Sequence, residues 1–137
     1  DCDIFISAAA VADYSVQKHN EKIKTKDFID LKLEKNPDIV YEFSRLNNKN
    51  KIIVGFALET SNIIKNARKK LDSKGLDLII ANSNDAIGND LNKAYLVTKN
   101  ETLELAKMPK RNLSFLILDH IIKMMNKKQS MQKYHNQ

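Results

Sequence analysis

The chain has 137 residues, 42% of them hydrophobic, enough for one domain with a real core. No run of about 18 apolar residues offers a membrane span, and no charged and apolar leader marks a signal peptide. The single cysteine, Cys2, excludes an internal disulfide and has no His or Cys partner at metal-ligand spacing, which points to the reducing cytoplasm. A net charge of +6 and a pI near 9.3 raise the question of phosphate ligands. Polynucleotide is not indicated, because no aromatic interleaves with a basic stretch to form a base-stacking platform.

In chain order, the run Ile4 to Ala10 reads as a buried strand that opens the sequence with no preceding cap. The chain is therefore expected to lack an N-terminal region. The strand gives way to Val11, Ala12, Asp13 and Tyr14, and the small side chains of Ala8, Ala9, Ala10 and Ala12 have two explanations. A flat ligand could lie against the backbone there, since nucleotides bind beyond the carboxyl ends of strands in open α/β sheets. A helix packed closely on the strand would select the same residues.

Residues 13–27 are polar and without period, which reads as a flap or as disorder. In extended form Lys22 and Lys24, either side of Ile23, would share one side. Phe28, Leu31 and Leu33 form a short extended segment. Asn36, Pro37 and Asp38 then read as a helix start, with Asn36 as N-cap, Pro37 in the first turn and Asp38 complementing the dipole. Ile39, Val40, Phe43 and Leu46 supply the apolar stripe of that helix.

A second buried strand spans 51–57, and Ser61 is expected to cap a helix with Ile63, Ile64, Ala67 and Leu71 facing the core until Gly75 ends it. Lys70 and Lys74 stand one turn apart on that helix. They could clamp phosphates at a sheet edge, or sit solvated on an outer face. A third strand over 76–81 carries Leu78, Ile79 and Ile80 in a row, as burial on both faces of a parallel sheet demands. After a loop over 82–92, a hairpin is expected from 94–98 and 102–106, then an amphipathic helix from Leu113 to Met125 and a polar tail over 127–137.

Taken together, the segments Ala9-Ala10-Val11-Ala12-Asp13-Tyr14, Glu21-Lys22-Ile23-Lys24, Leu33-Glu34-Lys35-Asn36-Pro37-Asp38-Ile39, Gly55-Phe56-Ala57-Leu58-Glu59-Thr60 and Asp77-Leu78-Ile79-Ile80-Ala81-Asn82 resemble, in order and spacing, the phosphopantothenate–cysteine ligase family of coenzyme A biosynthesis. The resemblance runs from Cys2 to about Ile122. It implies an α/β fold: a Rossmann-like three-layer sandwich with a mostly parallel sheet, an added hairpin and a mobile flap, with residues 1–126 as the C-terminal part of the ligase domain.

The same resemblance implies that CTP, with Mg2+, activates 4′-phosphopantothenate as an acyl cytidylate and that L-cysteine then displaces CMP. Carried over by position, Ser7, Ala8 and Ala9 line the nucleotide, Asp13 is its polar contact and Lys22 is the flap lysine tied to conversion of the cytidylate. Pro37, Asp38, Ile39 and Val40 bring a helix N-terminus, Phe56 packs at the cytidine, and Lys70 and Lys74 add cations. Asp38 itself reads as a dipole complement rather than a metal ligand, and no residue is assigned as a protein ligand to a metal. A homodimer and a fused or associated flavin-dependent decarboxylase domain are implied as partners.

There are departures. The family's glycine-rich nucleotide segment has no counterpart among the chain's three glycines, Gly55, Gly75 and Gly88, and Thr25 stands where the family often has another lysine. The isolated chain is therefore expected to be inactive. A nucleotide-binding or dimerisation module is the alternative. A short-chain dehydrogenase relative is disfavoured, because its Tyr-x-x-x-Lys pair would have to be Tyr14 and Lys18 in a loop. His19 and His120 show no carboxylate at triad spacing, and Cys2 lies at the strand entry, so none is read as a catalytic group.

Overall fold

A computed structural model describes residues 2–18, 21, 22, 24, 28–46, 51–83 and 90–135, with side chains of the last helix described as far as Met131. Ten elements follow one another: β1 (Ile4–Ser7), β2 (Tyr14–Val16), β3 (Leu33–Lys35), α1 (Ile39–Arg45), β4 (Ile52–Glu59), α2 (Ile63–Lys74), β5 (Leu78–Ser83), β6 (Leu91–Val97), β7 (Thr102–Pro109) and α3 (Lys110–His135). His19, Ile23, Thr25, Lys26, Asp27 and Gly88 lie outside the described residues.

The main sheet has the order β1-β4-β5-β6-β7. β1, β4 and β5 run parallel, while β5, β6 and β7 pair antiparallel. The sheet is thus mixed rather than mostly parallel. The hairpin expected as an appendage joins β5 as two further strands. β2 and β3 form a separate antiparallel pair.

Two apolar layers explain why β4 and β5 carry consecutive hydrophobic residues. On one face Ile52, Val54, Leu78, Ile80, Ala94 and Leu96 pack under Leu113, Ile117 and Ile121 of α3. On the other, Ile53, Ala57, Ile79, Ala81 and Val97 meet Ala67 and Leu71 of α2, with Phe5, Val40 and Phe43 at the margin. The rings of Phe5 and Phe43 stack at 4.2 Å and seat α1 beside β1. Strands that feed both layers leave no room for the polar alternation of a half-exposed sheet.

Several local expectations are corrected. β1 stops at Ser7, where its register with β4 ends at Gly55, and Ala8 to Ala10 have left the ladder by the turn in which Val11 N–H donates to the Ala9 carbonyl at 3.2 Å. It is also less buried than expected, with Ile6 40% exposed. β4 and β5 each continue past the expected strand end, to Glu59 and Ser83, because their register runs from Val54↔Leu78 to Glu59↔Ser83.

The N-cap of α1 is Asp38 rather than Asn36: its Oδ1 accepts from Tyr41 N–H at 3.1 Å, so Pro37 precedes the helix. Asn36 instead fastens the base of the β2–β3 pair. It accepts from Ser15 Oγ at 2.7 Å and donates to the Ala12 carbonyl at 2.8 Å, while its backbone N–H reaches the Asp13 carbonyl at 2.8 Å. The cap residue of α2 is Asn62, with φ of 49° and no side-chain capping bond, so Ser61 is not the cap. Gly75 does end that helix, in the left-handed conformation at φ of 63°.

The polar tail is corrected as well, since α3 runs on to His135. Lys, Gln and Met carry little helix penalty. Lys128 also anchors this end: its ammonium donates to the Lys51 carbonyl at 2.7 Å and reaches Asp77 Oδ1 at 3.5 Å. Asp77 Oδ2 in turn accepts from Ile53 N–H at 2.8 Å, so the helix end and the start of β4 share one carboxylate.

Candidate functional site

A cleft of about 650 Å³ opens at the carboxyl ends of β1, β4 and β5. Parallel strands place their C-terminal loops there, and a cleft follows from the way those loops part. Ser7, Ala8, Ala9 and Asp13 line it from the passage between β1 and β2. Pro37, Asp38, Ile39 and Val40 line it from the entry to α1, Phe56 from β4, and Lys70 and Lys74 from α2. Lys22, the remaining candidate, is exposed on the connection between β2 and β3 and is not among the lining residues. The small residues after β1 thus face open space rather than a packed helix.

Backbone geometry shapes the floor. Gly55 lies at the cleft, and a Cβ there would stand 2.8 Å from Leu76 Cδ1, so a larger residue would make the Leu76 side chain shift. Next to it Phe56 remains 41% exposed, a ring face without a complete cover. At the end of β5 the Asn82 carboxamide oxygen is buried and has no hydrogen-bond partner among the described residues. Asn82 also lines the cleft. Sequence reading placed Asn82 within a motif and gave it no role; no local pattern reveals an unpaired oxygen.

Lys70 and Lys74 line the cleft, so the outer-face alternative is set aside, yet neither ammonium is bare. Lys70 Nζ meets Glu59 Oε1 at 2.6 Å, and Lys74 Nζ meets Asp38 Oδ2 at 2.9 Å. Glu59 Oε2 further accepts from Asn66 Nδ2 at 2.9 Å. The Lys70 hydrogen bond holds the Glu59 carboxyl below its usual range, against burial, which pushes it up, and with help from Asn66. For Asp38, partial burial pushes upward most strongly, but Lys74 and the N–H groups of Tyr41 and Val40 together outweigh it and the carboxyl is lowered. The helix entry implied as a ligand contact is therefore already partly occupied by Asp38 itself.

Both carboxylates titrate lower in the folded chain than in the unfolded one. Their contribution to stability is present above the ordinary carboxylate range of ~4 and is lost as pH falls through the lowered folded values. Stability followed by circular dichroism should fall below pH ~4, and the double variant Asp38→Asn, Glu59→Gln should show a flatter acid limb. An unchanged limb would mean that neither pair is held in solution.

A family model for the DNA/pantothenate metabolism flavoprotein C-terminal domain matches residues 1–125. The chain belongs to this family. Its relatives include the coenzyme A biosynthesis bifunctional protein CoaBC of Borreliella burgdorferi, 43% identical over 121 residues that cover 85% of this chain and 31% of the relative. The CoaBC protein of Escherichia coli is 38% identical over 129 residues, covering 88% and 32%. The chain thus spans about a third of the length of these curated relatives. Among solved structures, the DNA/pantothenate metabolism flavoprotein from Streptococcus pneumoniae superposes with a TM-score of 0.76 at 27% identity, covering 90% of this chain and 64% of that one. The C-terminal domain of a CoaBC protein gives 0.70 at 28% identity, covering 91% and 56%. The α/β sheet is that of the solved structures of this family.

Among the described residues no group of three or more His, Cys, Asp or Glu side chains converges as a metal site. No described helix is long and apolar enough to cross a membrane.

Proposed function

We propose that this chain supplies the nucleotide-holding part of a site that joins 4′-phosphopantothenate to L-cysteine with CTP. The observation that carries the reading is the convergence on one cleft of Ser7, Ala8, Ala9, Asp13, Pro37 to Val40, Phe56, Lys70 and Lys74, from four separate stretches of sequence. Small side chains and exposed backbone suit a base and ribose, Phe56 offers a stacking face, and the two ammonium groups suit phosphate.

In this reading the substrate carboxylate attacks the α-phosphorus of CTP, forming the acyl phosphate bond as pyrophosphate leaves. The cysteine amine then attacks the acyl carbon, forming the amide as CMP leaves with the bonding electron pair. Both steps build negative charge on phosphate oxygens, and fixed cations stabilise it. Mg2+, if used, would be held chiefly by triphosphate oxygens, as that ion commonly is. A cytoplasmic location and a fused flavin-dependent decarboxylase, as the bifunctional names of the relatives suggest, belong to the same proposal.

The test uses the full-length protein: amide formation from phosphopantothenate and cysteine, with pyrophosphate release dependent on CTP and not on ATP. The 137-residue chain alone should bind CTP weakly in calorimetry and turn nothing over. Turnover by the chain alone would overturn the division of labour proposed here. Lys70→Ala and Lys74→Ala in the full-length protein should each raise KM for CTP, by the ~1.5–3 kcal/mol that a charge-assisted contact contributes. Unchanged CTP dependence would remove the two lysines from the nucleotide site.

A second reading, an association module, is favoured by one observation. The β2–β3 pair and its flanks expose Phe28 (89%), Leu31, Leu33, Tyr14 and Val16. A two-stranded ribbon is marginal by itself, so a second copy is the proposed cover. A homodimer in sedimentation that Phe28→Asp dissociates would support it; a monomeric full-length protein would not.

A further inference from the structure

Of the two ion pairs in the cleft, one is built differently from a casual surface contact. Glu59 is the last residue of β4, fixed by the sheet, and its side chain is only 12% exposed. Its two oxygens have separate partners on α2: Oε2 accepts from Asn66 Nδ2 at 2.9 Å and Oε1 from Lys70 Nζ at 2.6 Å. The Asn66 amide also donates to the Ser61 carbonyl at 3.0 Å, which fixes its orientation from the chain just before the helix. Lys70 itself is 46% exposed and lines the cleft, and an ammonium has three N–H donors of which Glu59 takes one. The Asp38 to Lys74 pair is more open, with both side chains 36% exposed, and the other oxygen of Asp38 is held by the Tyr41 N–H at 3.1 Å as the N-cap of α1.

We propose that Glu59, held by Asn66, is a positioning residue that aims the Lys70 ammonium at the anionic ligand of the cleft. This rests on the nucleotide reading above. A lysine on a four-carbon stem spreads its charge over many rotamers, and fixing one of them removes that entropy before the ligand arrives. The carboxylate also repels phosphate, but its side chain is only 12% exposed against 46% for Lys70, and Lys70 rather than Glu59 is among the lining residues. Preorganisation therefore outweighs repulsion.

The experiment is a double-mutant cycle in the full-length protein, with Lys70→Ala, Glu59→Ala and the combination, read as KM and kcat for CTP. Glu59→Ala should raise KM about tenfold with kcat within about twofold. In the Lys70→Ala background it should add almost nothing. Glu59→Gln, which keeps one acceptor, should recover part of the loss. Asn66→Ala tests the same idea without removing the carboxylate and should raise KM by an intermediate factor, which guards against a Glu59 variant that fails to fold.

A separate readout needs no turnover: the Lys70 ammonium should give a hydrogen-bonded signal in nitrogen-15 NMR of the wild type that disappears in Glu59→Ala. A lower KM in Glu59→Ala, additive effects of the two substitutions, or no Lys70 signal would each overturn the inference. If Lys70→Ala alone leaves CTP use unaffected, the nucleotide reading fails instead, and the NMR signal still decides whether Glu59 holds the lysine.

Discussion

Lys22→Gln in the full-length protein is expected to release pyrophosphate from CTP and phosphopantothenate in a roughly stoichiometric burst, to accumulate the acyl cytidylate, and to make almost no amide. Lys22 stands exposed on the connection between β2 and β3 and is not among the residues lining the cleft, so in the proposed reading it acts by being brought to the reacting atoms. In the proposed reading, a cation delivered by closure is of least use while Lys70 and Lys74 would face the triphosphate. It matters most after pyrophosphate has left, when the mixed anhydride must be shielded from water and charge grows on the departing CMP. Removing one preorganised donor to a developing oxyanion commonly lowers the step by ~10²–10³, and the second half-reaction should fall by about that factor. Mass spectrometry of the quenched reaction reads the result. An inactive variant with no cytidylate would move Lys22 to the activation step, and normal product formation would remove it from the mechanism.

How far the sequence carried this reading depends on the distance over which each interaction acts. Leu78, Ile79 and Ile80 announce a strand covered on both sides because burial acts on each residue in turn, and Gly75 announces a helix end because a positive φ is a local demand. The α2 lysines were legible only as a pair on one face. Which face it was depended on β4 and α1, far along the chain. Their carboxylate partners were harder still: Glu59 and Lys70 are brought together by the crossover from β4 to α2, and Asp38 and Lys74 by the packing of two helices.

Capping failed for a similar reason. Asn36, Pro37 and Asp38 form a plausible helix start in isolation, but Asn36 is claimed by Ser15 and Ala12 from the β2 side, and the cap passes to the next available carboxylate. The mixed sheet was legible in its parts and not in its sum. The hairpin of β6 and β7 was evident from alternation and a polar turn, while its antiparallel docking on β5 is a tertiary choice that no local residue reports. The helical tail was missed because polar residues without period read as loop, whereas Lys128 ties that segment to Lys51 and Asp77 across the whole domain.

Ile80→Ala is expected to destabilise this domain more than any substitution in the cleft. Ile80 is fully buried, at 0% exposure, in the central strand β5. Its backbone is paired to Phe56 on one side and Leu96 on the other, so neither neighbouring strand can move in alone. Above it lie Leu113, Ile117 and Ile121 of α3, a helix pinned at its far end by Lys128. A site so enclosed collapses poorly, and the cavity term adds to the lost transfer energy, which places the cost in the upper part of the range of about 2–5 kcal/mol for truncating a buried aliphatic side chain to alanine. Against a total stability of roughly 5–15 kcal/mol, that is a large fraction. Ile6→Ala, at a position 40% exposed on β1, serves as the comparison and should cost clearly less, since part of its surface stays in water and no closed cavity is left. Because the chain contains no tryptophan, amide hydrogen exchange of β5 read by mass spectrometry is the suitable probe in the full-length protein. Protection of Leu78 to Ala81 should fall by the factor corresponding to the full cost in Ile80→Ala and by a clearly smaller factor in Ile6→Ala. Equal losses in the two variants would mean that β5 does not carry the cooperative core of the domain.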